Sequence, residues 1–317
     1  MGRSAVKTMS ATNTGKRANR QVGFCLLFGF LPAVLAAGFA FLYPFESFAS
    51  AHKQAASGTM PGETCSSSLD RSLSLRCISF QGHLYAVMDI HLQSQEIIFT
   101  TSDDAKRETF PMVVSKLLRA GIKPVLVTNA GIYGMDNRPL GLLISPKGKV
   151  HDVNATAGAG SGNFAWDSAV FQISDDGTAS IVPARSWQDS GRTVAATQSG
   201  PQLASLGKIN PGFQAQSKWS FSRTAVGVDQ SNRKLVHLIV SRETVTLFEL
   251  ATFMVNELHC SEALHLDGDL SAFYVPAAPE KFLFSDPGER IVTALIIIEK
   301  GTSDLEKRKP SKSVPKR

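Results

Sequence analysis

The pattern of hydrophobic and polar positions along the chain predicts a domain built mainly from short strands. Alternating or β-branched runs, which are typical of strands, fall near residues 84–90, 96–101, 125–128, 141–145, 169–173, 179–182, 224–228, 235–240, 263–266 and 291–298. Short polar connections such as Asp175-Asp176-Gly177 and Ser145-Pro146-Lys147-Gly148 join several of these runs. Such turns indicate antiparallel hairpins.

Two segments have the periodicity of helices. In the first, Thr109 is the expected N-cap, Pro111 falls in the first turn, and the apolar stripe ends at Gly121. In the second, Thr246 and Glu249 have the spacing of a capping box ahead of another apolar stripe. The sequence therefore predicts an α+β fold, with a mixed, largely antiparallel sheet or sheets and two main helices.

Each predicted helix feeds an apolar strand that ends in a polar glycine loop. The first loop is Asn129-Ala130-Gly131 and the second is Asp267-Gly268-Asp269. Ligands often bind beyond the carboxyl ends of strands in sheets with helical crossovers, because backbone groups point there and loops vary freely. If the two strands are neighbours, we expect Asn129 and Asp267 to meet.

The N-terminal region has the pattern of an export signal. Residues 22–43 contain no ionisable acid or base and follow Lys16, Arg17 and Arg20. This run is long enough to cross a hydrocarbon core of about 30 Å, which favours a membrane anchor, whereas Ala49-Ser50-Ala51 fits a cleavage site. Both alternatives place the domain outside the cytoplasm, either periplasmic or anchored in the inner membrane.

The chain divides into four predicted regions: a signal peptide or anchor (1–51), a linker (52–64), one domain (65–300) and a basic tail (301–317) that we expect not to fold. The formal charge is +6, from 33 Lys and Arg against 27 Asp and Glu, and the excess lies at the two termini. The domain between them is slightly acidic, which argues against a nucleic-acid partner. A disulfide between Cys65 and Cys77 would close a short loop before the first strand.

Five short motifs resemble, in their order, those of phosphodiester glycosidase domains, over about residues 80–298. They are Asn129-Ala130-Gly131-Ile132-Tyr133, Ser161-Gly162-Asn163-Phe164, Ala196-Thr197-Gln198-Ser199-Gly200-Pro201, Arg223-Thr224-Ala225-Val226-Gly227, and Leu266-Asp267-Gly268 with Ser271 and Tyr274. The uncovering-enzyme branch of this family has Asp-Gly-Gly-Gly-Ser at the last motif. Here Asp269 and Leu270 precede Ser271, so the chain is more similar to the bacterial envelope branch.

The resemblance implies a hydrolase that cleaves the glycosidic bond to phosphate in a sugar phosphodiester of the envelope or extracellular space. A phosphate leaving group departs as a weakly basic anion, so a cation and hydrogen-bond donors can replace much of the proton transfer that glycosidases usually need. The implied catalytic residues are Asp267 as nucleophile or base, Asp269 as the second carboxylate and Arg223 as the phosphate ligand. The implied substrate-binding residues are Asn129, Gly131, Tyr133, Asn163, Gln198, Gly268 and Ser271.

Several alternatives remain open from the sequence. Asp267 has the sequence of a turn aspartate, Arg223 of a structural ion pair, and Asn129 and Gln198 of amides that satisfy loop backbone. We expect no cofactor, although His265, Asp267 and Asp269 alternate on one face of an extended strand and would suit a divalent metal. The chain would then be a metal-dependent phosphodiesterase. A third alternative is a non-catalytic module that binds envelope glycans.

Overall fold

The computed structural model describes residues 74–102, 104–156, 167–268, 271–277 and 290–301. These residues all belong to one of the chain's two units, Met60–Arg317, and the other unit, Met1–Thr59, lies outside them. The predicted anchor or signal, the linker, the tail, Cys65, Asn163 and Asp269 also lie outside the described residues. Cys77 is disulfide-bonded, and its pairing with Cys65 stays a prediction.

The described elements are strands and two α-helices. The strands are β1 (Leu75–Phe80), β2 (His83–His91), β3 (Gln95–Thr101), β4 (Glu108–Thr109), β5 (Pro124–Asn129), β6 (Leu143–Ser145), β7 (Gly148–His151), β8 (Ala169–Ser174), β9 (Ala179–Pro183), β10 (Thr193–Ser199), β11 (Gln202–Ser205), β12 (Lys208–Ile209), β13 (Thr224–Asp229), β14 (Leu235–Ser241), β15 (Cys260–His265), β16 (Phe273–Tyr274), β17 (Arg290–Ile291) and β18 (Thr293–Glu299). The helices are α1 (Phe110–Arg119) and α2 (Leu247–Asn256), and Ala184–Ser186 forms a 3₁₀ turn.

Both helices begin where the sequence predicts. Thr109 accepts a hydrogen bond from the backbone of Met112, and Gly121 follows α1 with φ +76°, a conformation that glycine adopts without strain. Thr246 and Glu249 form the predicted capping box at the start of α2. Neither helix, within the part of the chain that the structure describes, combines the length and apolar content needed to cross a bilayer.

The strands form antiparallel sheets. Their orders are β1-β2-β14-β13-β15-β11-β12, β7-β6-β10-β8-β9 and β16-β5-β18-β3, with a separate β17-β4 pair. Every pairing among the described strands is antiparallel, so the predicted fold is confirmed as mostly antiparallel sheets with two helices, while its mixed character is not seen there. The predicted strand at 291–298 is two strands, because the chain turns at Val292 from β17 into β18.

The two helices connect strands that lie on either side of a central strand. The helix α2 leads from β14 to β15, and both of these flank β13. In the four-stranded sheet, α1 lies between β3 and β5 in sequence, and both of these flank β18. The polar loops after β5 and β15 therefore follow strands of equivalent topology. Separate hydrophobic clusters pack under α2 and under α1, and the largest cluster joins residues of all three large sheets.

The side chain of Cys260 is buried in the hydrophobic cluster under α2. It is a free thiol, and burial raises its pKa. This position fits a small apolar core residue better than a nucleophile, because a protonated, buried thiol reacts poorly.

Candidate functional site

The loops after β5 and β15 are joined by two hydrogen bonds. The side-chain Nδ2 of Asn129 donates to the carbonyl oxygen of Asp267 at 2.6 Å, and the backbone N–H of Asp267 donates to the carbonyl of Ala130 at 2.9 Å. The predicted meeting of Asn129 and Asp267 is therefore confirmed. Its expected cause was wrong, because β5 and β15 lie in separate sheets and the loops themselves make the contact.

The Asn129 side chain serves the protein's own backbone and hydroxyl groups. Asn129 is 1% exposed, and its Oδ1 accepts hydrogen bonds from the hydroxyls of Thr128 and Thr224 at 3.1 and 2.9 Å. Thr224 is the first residue of β13, so this one amide ties three strand ends together. In the structure Asn129 therefore holds Asp267 in position. The predicted contact of Asn129 with substrate is a different role and stays a prediction.

The close approach of two chain segments explains Gly131. A Cβ atom at this position would fall against the carbonyl oxygen of Gln198 and 2.5 Å from the hydroxyl of Thr197. The carbonyl of Gly131 also accepts a hydrogen bond from Thr293 at 2.6 Å. Packing against β10 therefore requires a residue without a side chain at position 131, and the predicted contact of Gly131 with substrate stays a prediction.

The amide of Gln198 has no hydrogen-bonding capacity left for a ligand. Its Oε1 accepts from the backbone of Leu142 and Asn154, at 3.1 and 2.9 Å. Its Nε2 donates to the carbonyl of Asn154 at 2.6 Å and to the hydroxyl of Ser168 at 3.1 Å. A side-chain amide offers two donor hydrogens and two lone pairs. Gln198 therefore holds the surrounding loops in place, and its predicted contact with substrate stays a prediction.

Arg223 is a buried cation at the start of β13. It is 4% exposed, its Nε donates to the carbonyl of Val245 at 3.4 Å, and its Nη1 lies 3.3 Å from Nε2 of His265. The ring of Phe221 lies against the guanidinium, with 4.9 Å between Cζ and the ring centroid. Burial lowers the pKa of Arg223 to about 10, which leaves it charged at neutral pH. No described carboxylate forms an ion pair with it, so the alternative of a structural ion pair is not supported.

The hydrogen bonds of His265 fix its tautomer. Its Nδ1 lies 3.1 Å from the carbonyl oxygen of Gly200, which can only accept, so Nδ1 carries the proton. The unprotonated Nε2 then accepts from Nη1 of Arg223. Burial, together with the charge of Arg223, lowers the pKa of His265 to about 3, so the ring is neutral at pH 7.

This arrangement also bears on the metal alternative. A histidine ligand offers a lone pair to the metal, and the one lone pair of His265 faces a guanidinium. The positive charge of Arg223 would repel a cation at the same place. The structure therefore does not support His265 as a ligand in the predicted metal site of His265, Asp267 and Asp269. Among the residues described, no cluster of three metal-ligating side chains occurs.

The Asp267-Gly268 bend packs directly on this pair. A Cβ on Gly268 would lie 3.1 Å from Cε1 of His265 and 3.6 Å from Nη1 of Arg223. Asp267 is 6% exposed, and its backbone is held from the other side by Asn129 and Ala130. The structure therefore brings together Asn129, Asp267, Gly268 and Arg223 at one end of two sheets.

Two further predicted residues, Tyr133 and Ser271, follow the two loops in sequence. Tyr133 is half-buried and packs under the guanidinium of Arg107, with 5.0 Å between Cζ and the ring centroid. Ser271 is buried, and its hydroxyl has no hydrogen-bond partner in the described structure. The sequence prediction missed two positioning residues, Thr224 and Phe221. Phe221 lies two positions before Arg223 in an extended segment, so the two side chains share one face. This spacing is the sequence signal from which their contact could have been predicted.

Comparisons with known proteins identify the family of this chain and two similar proteins. The family model of the phosphodiester glycosidases matches residues 123–298. In structure, the chain resembles the catalytic domain of zebrafish N-acetylglucosamine-1-phosphodiester alpha-N-acetylglucosaminidase, auto-inhibited by its pro-peptide, with a TM-score of 0.52 and 19% identity over 71% of this chain and 82% of that one. At this level of identity, the likeness shows that the two proteins share a fold.

A bacterial relative gives a closer match in sequence. The chain is 28% identical over 150 residues to the uncharacterized protein YigE of Escherichia coli (strain K12). The match covers 47% of this chain and spans 58% of the length of that relative. Because the family match spans more than half of the chain, and includes both loops and Arg223, the chain belongs to the phosphodiester glycosidase family.

Proposed function

We propose that this protein hydrolyses the glycosidic bond to phosphate in a sugar phosphodiester. The observation that carries the proposal is a buried guanidinium, that of Arg223, held beside the Asp267-Gly268 bend without a described carboxylate partner. Family membership supports the reaction class. A second support is that both loops of the site are fixed by hydrogen bonds before any ligand binds, which is the preorganisation that electrostatic catalysis needs.

Arg223 has the donors required to bind a phosphate. A guanidinium has five N–H donors, and the structure uses one on Nε and one on Nη1. The three that remain are one on Nη1 and two on Nη2, and a pair of neighbouring N–H groups suits two phosphoryl oxygens at once. We expect this edge to neutralise the phosphate monoester as it leaves the sugar. The surrounding protein excludes water, which strengthens that interaction.

Asp267 is the carboxylate that we assign to the sugar side of the reaction. As a nucleophile it would form a bond to the anomeric carbon while the C–O bond to phosphate breaks, and water would then release the sugar. As a base it would take a proton from a water that attacks the anomeric carbon directly. Asp269 is the proposed second carboxylate and lies outside the described residues. Tyr133 and Ser271 are the proposed sugar contacts.

We place the substrate in the cell envelope or extracellular space. This part of the proposal is based on the sequence of residues 1–51, which predicts export by an anchor or a cleaved signal. The proposed partner is therefore a sugar phosphodiester or an envelope glycan that carries one.

Hydrolysis in water labelled with ¹⁸O tests the bond that breaks. The full-length protein is incubated with a set of sugar-1-phosphodiesters, and both products are analysed by mass spectrometry. The proposal predicts label in the sugar and none in the phosphate, with turnover lost in Asp267→Asn. Label in the phosphate would show P–O cleavage and favour the phosphodiesterase. Binding of sugar phosphodiesters without any turnover would favour the glycan-binding module.

A further inference from the structure

A cavity of about 390 Å³ adjoins the candidate site. It lies where the five-stranded sheet and the β11–β12 hairpin of the seven-stranded sheet come together, with Ser168, Arg185, Gln202 and Lys208 among its lining residues. Its volume is within the range of roughly 300–1,000 Å³ that is usual for small-molecule sites. None of the described residues that the sequence predicted to bind substrate lines it.

Two cations from different sheets face this cavity. Arg185 comes from the 3₁₀ turn after β9, and Lys208 is the first residue of β12. Among the described lining residues the one acid is Asp167, whose Oδ1 lies 3.8 Å from Nη1 of Arg185, a long contact between exposed side chains. Within the described structure Lys208 has no ion-pair partner. The cavity therefore has a net positive charge and a lysine that is free to bind an anion.

Half of the other lining residues are polar, and several of these have unused hydrogen-bonding groups. Gln202 donates one hydrogen bond from Nε2, to the carbonyl of Ala204 at 3.3 Å, which leaves its Oε1 and a second hydrogen. Thr156 and Ser205 add hydroxyl groups. Amides and hydroxyls around a pair of cations suit a hydrophilic ligand, such as a polyol or sugar, that carries a phosphate or a carboxylate.

The cavity and the candidate site are separated by one short segment, Gly200-Pro201. On one side, the carbonyls of Gly200 and Pro201 accept hydrogen bonds from the ring and the backbone of His265, the residue that contacts Arg223. On the other side, the next residue, Gln202, lines the cavity. Gln198 makes a second link, because its amide donates to Ser168 in the cavity wall. A ligand bound beside Arg223 is thus close to the cavity.

We propose that this cavity binds the aglycone of the phosphodiester through an anionic group that the aglycone carries. The inference rests on the proposed function, in which Arg223 holds the phosphate and Asp267 faces the sugar. A phosphodiester has a second ester arm, which remains on the phosphate after the sugar is released. The positive cavity on the far side of Gly200-Pro201 is the place for that arm, and it selects an arm with a phosphate or carboxylate.

The test compares matched substrates and matched variants of the full-length protein. Sugar-1-phosphodiesters with a methyl, a glycerate or a glycerol phosphate aglycone separate neutral, carboxylate and phosphate arms. The variant Arg185→Ala/Lys208→Ala removes both cations, and Arg119→Ala/Lys123→Ala removes two exposed cations near the end of α1. All of these positions are exposed, and thermal unfolding of each variant confirms that it folds.

We expect the wild type to prefer one anionic aglycone over methyl by at least about tenfold in kcat/KM, mainly through KM. The cavity variant is expected to lose this preference, and the control is expected to keep it. Equal losses in both double variants, or a wild type without preference for either anion, would overturn the proposal. The arm that is preferred identifies the anion as carboxylate or phosphate.

A binding measurement keeps this inference separate from the proposed reaction. Calorimetric titration of the wild type with free glycerol 3-phosphate and with glycerate needs no turnover. We expect one of them to bind, with an affinity at least about tenfold weaker in Arg185→Ala/Lys208→Ala than in the control. If the anion binds but no phosphodiester is hydrolysed, the proposed reaction fails and the cavity remains a binding site. If neither anion binds, or both variants bind equally, the cavity assignment fails.

Discussion

The amide of Asn129 donates a 2.6 Å hydrogen bond to the carbonyl oxygen of Asp267, although the strands before the two residues belong to different sheets. The same amide accepts hydrogen bonds from Thr128 and Thr224. The position of the proposed catalytic carboxylate therefore depends on a side chain that makes no proposed contact with substrate. Asn129 acts on the site through Asp267.

Replacing Asn129 by alanine is expected to destabilise the fold by about 2–4 kcal/mol. The change removes the hydrogen-bond partner of the Asp267 carbonyl and of the Thr224 hydroxyl in a buried environment, whereas Thr128 keeps its hydrogen bond to the carbonyl of Ala272. Each unsatisfied group costs about 1–3 kcal/mol before relaxation. Urea unfolding monitored by circular dichroism measures the effect. Asn256→Ala, at the exposed end of α2, is the matched control and should change the free energy of unfolding by less than about 0.5 kcal/mol. Equal effects would show that the Asn129 network carries little stability.

Gly131→Ala tests the close approach of the first loop to β10. The added methyl group would meet the carbonyl oxygen of Gln198 and the hydroxyl of Thr197, so one of the two segments must shift. Overpacking of this kind typically costs about 1–3 kcal/mol. We expect a lower free energy of unfolding in urea and a lower kcat/KM, because the same loop holds Asp267. Gly212→Ala, where the only near atom is a side-chain oxygen at 3.2 Å, is the control. A Gly131→Ala protein as stable as the control would contradict the packing argument.

Arg223→Lys is expected to lower kcat/KM for a sugar phosphodiester by about 100-fold or more, which is the usual effect of removing one donor that stabilises a developing charge. Lysine keeps the positive charge but loses the planar fork, and it cannot contact Val245, His265 and a phosphate in the same geometry. Steady-state kinetics on the substrate identified by the ¹⁸O experiment measures the change.

The control for this substitution is Arg192→Lys. Arg192 forms surface ion pairs with Asp175 and Asp176, far in sequence from both loops of the site. Its replacement should leave kcat/KM within about twofold of the wild type. Activity of Arg223→Lys at the level of this control would show that a bare charge is sufficient and that the bidentate geometry is not used.

The sequence predicted the helices well because their signals are local. Thr109 and the Thr246–Glu249 pair are capping residues whose partners lie three residues away, so the pattern contains the whole interaction. The strand β10 was missed, although it pairs with both β6 and β8, because Ala195 and Ala196 at its centre are residues that are depleted in strands.

The sequence identified which residues form the site better than it identified what each residue does there. The polar loops after the two helices were identified from sequence, and the structure joins them at Asn129 and Asp267. The role of Gln198 could not be predicted, because the four hydrogen bonds of its amide go to residues 30 to 56 positions away along the chain. Only tertiary packing brings these residues together. His265 was considered as a metal ligand for the same reason, because its contact with Arg223 spans 42 positions.

The pH dependence of folding provides a test of the neutral state of His265. An unfolded histidine has a pKa near 6.5, whereas burial lowers the pKa of His265 in the folded protein to about 3. Between these values the unfolded chain binds a proton that the folded protein does not. Stability from this residue is therefore fully present above pH 6.5 and is lost as the pH falls towards 3, by up to about 1.4 kcal/mol per pH unit.

His265→Gln removes the titration and keeps a side-chain oxygen that can accept a hydrogen bond from Arg223. We expect the wild type to lose about 2 kcal/mol more than this variant between pH 7 and pH 5, measured by urea unfolding at each pH. His91→Gln, at an exposed position, should follow the wild type throughout. If the difference between the wild type and His265→Gln stays constant from pH 7 to pH 5, then His265 titrates normally in the folded protein. Its lone pair would then not be committed to Arg223, and the proposed orientation of the guanidinium would have to be revised.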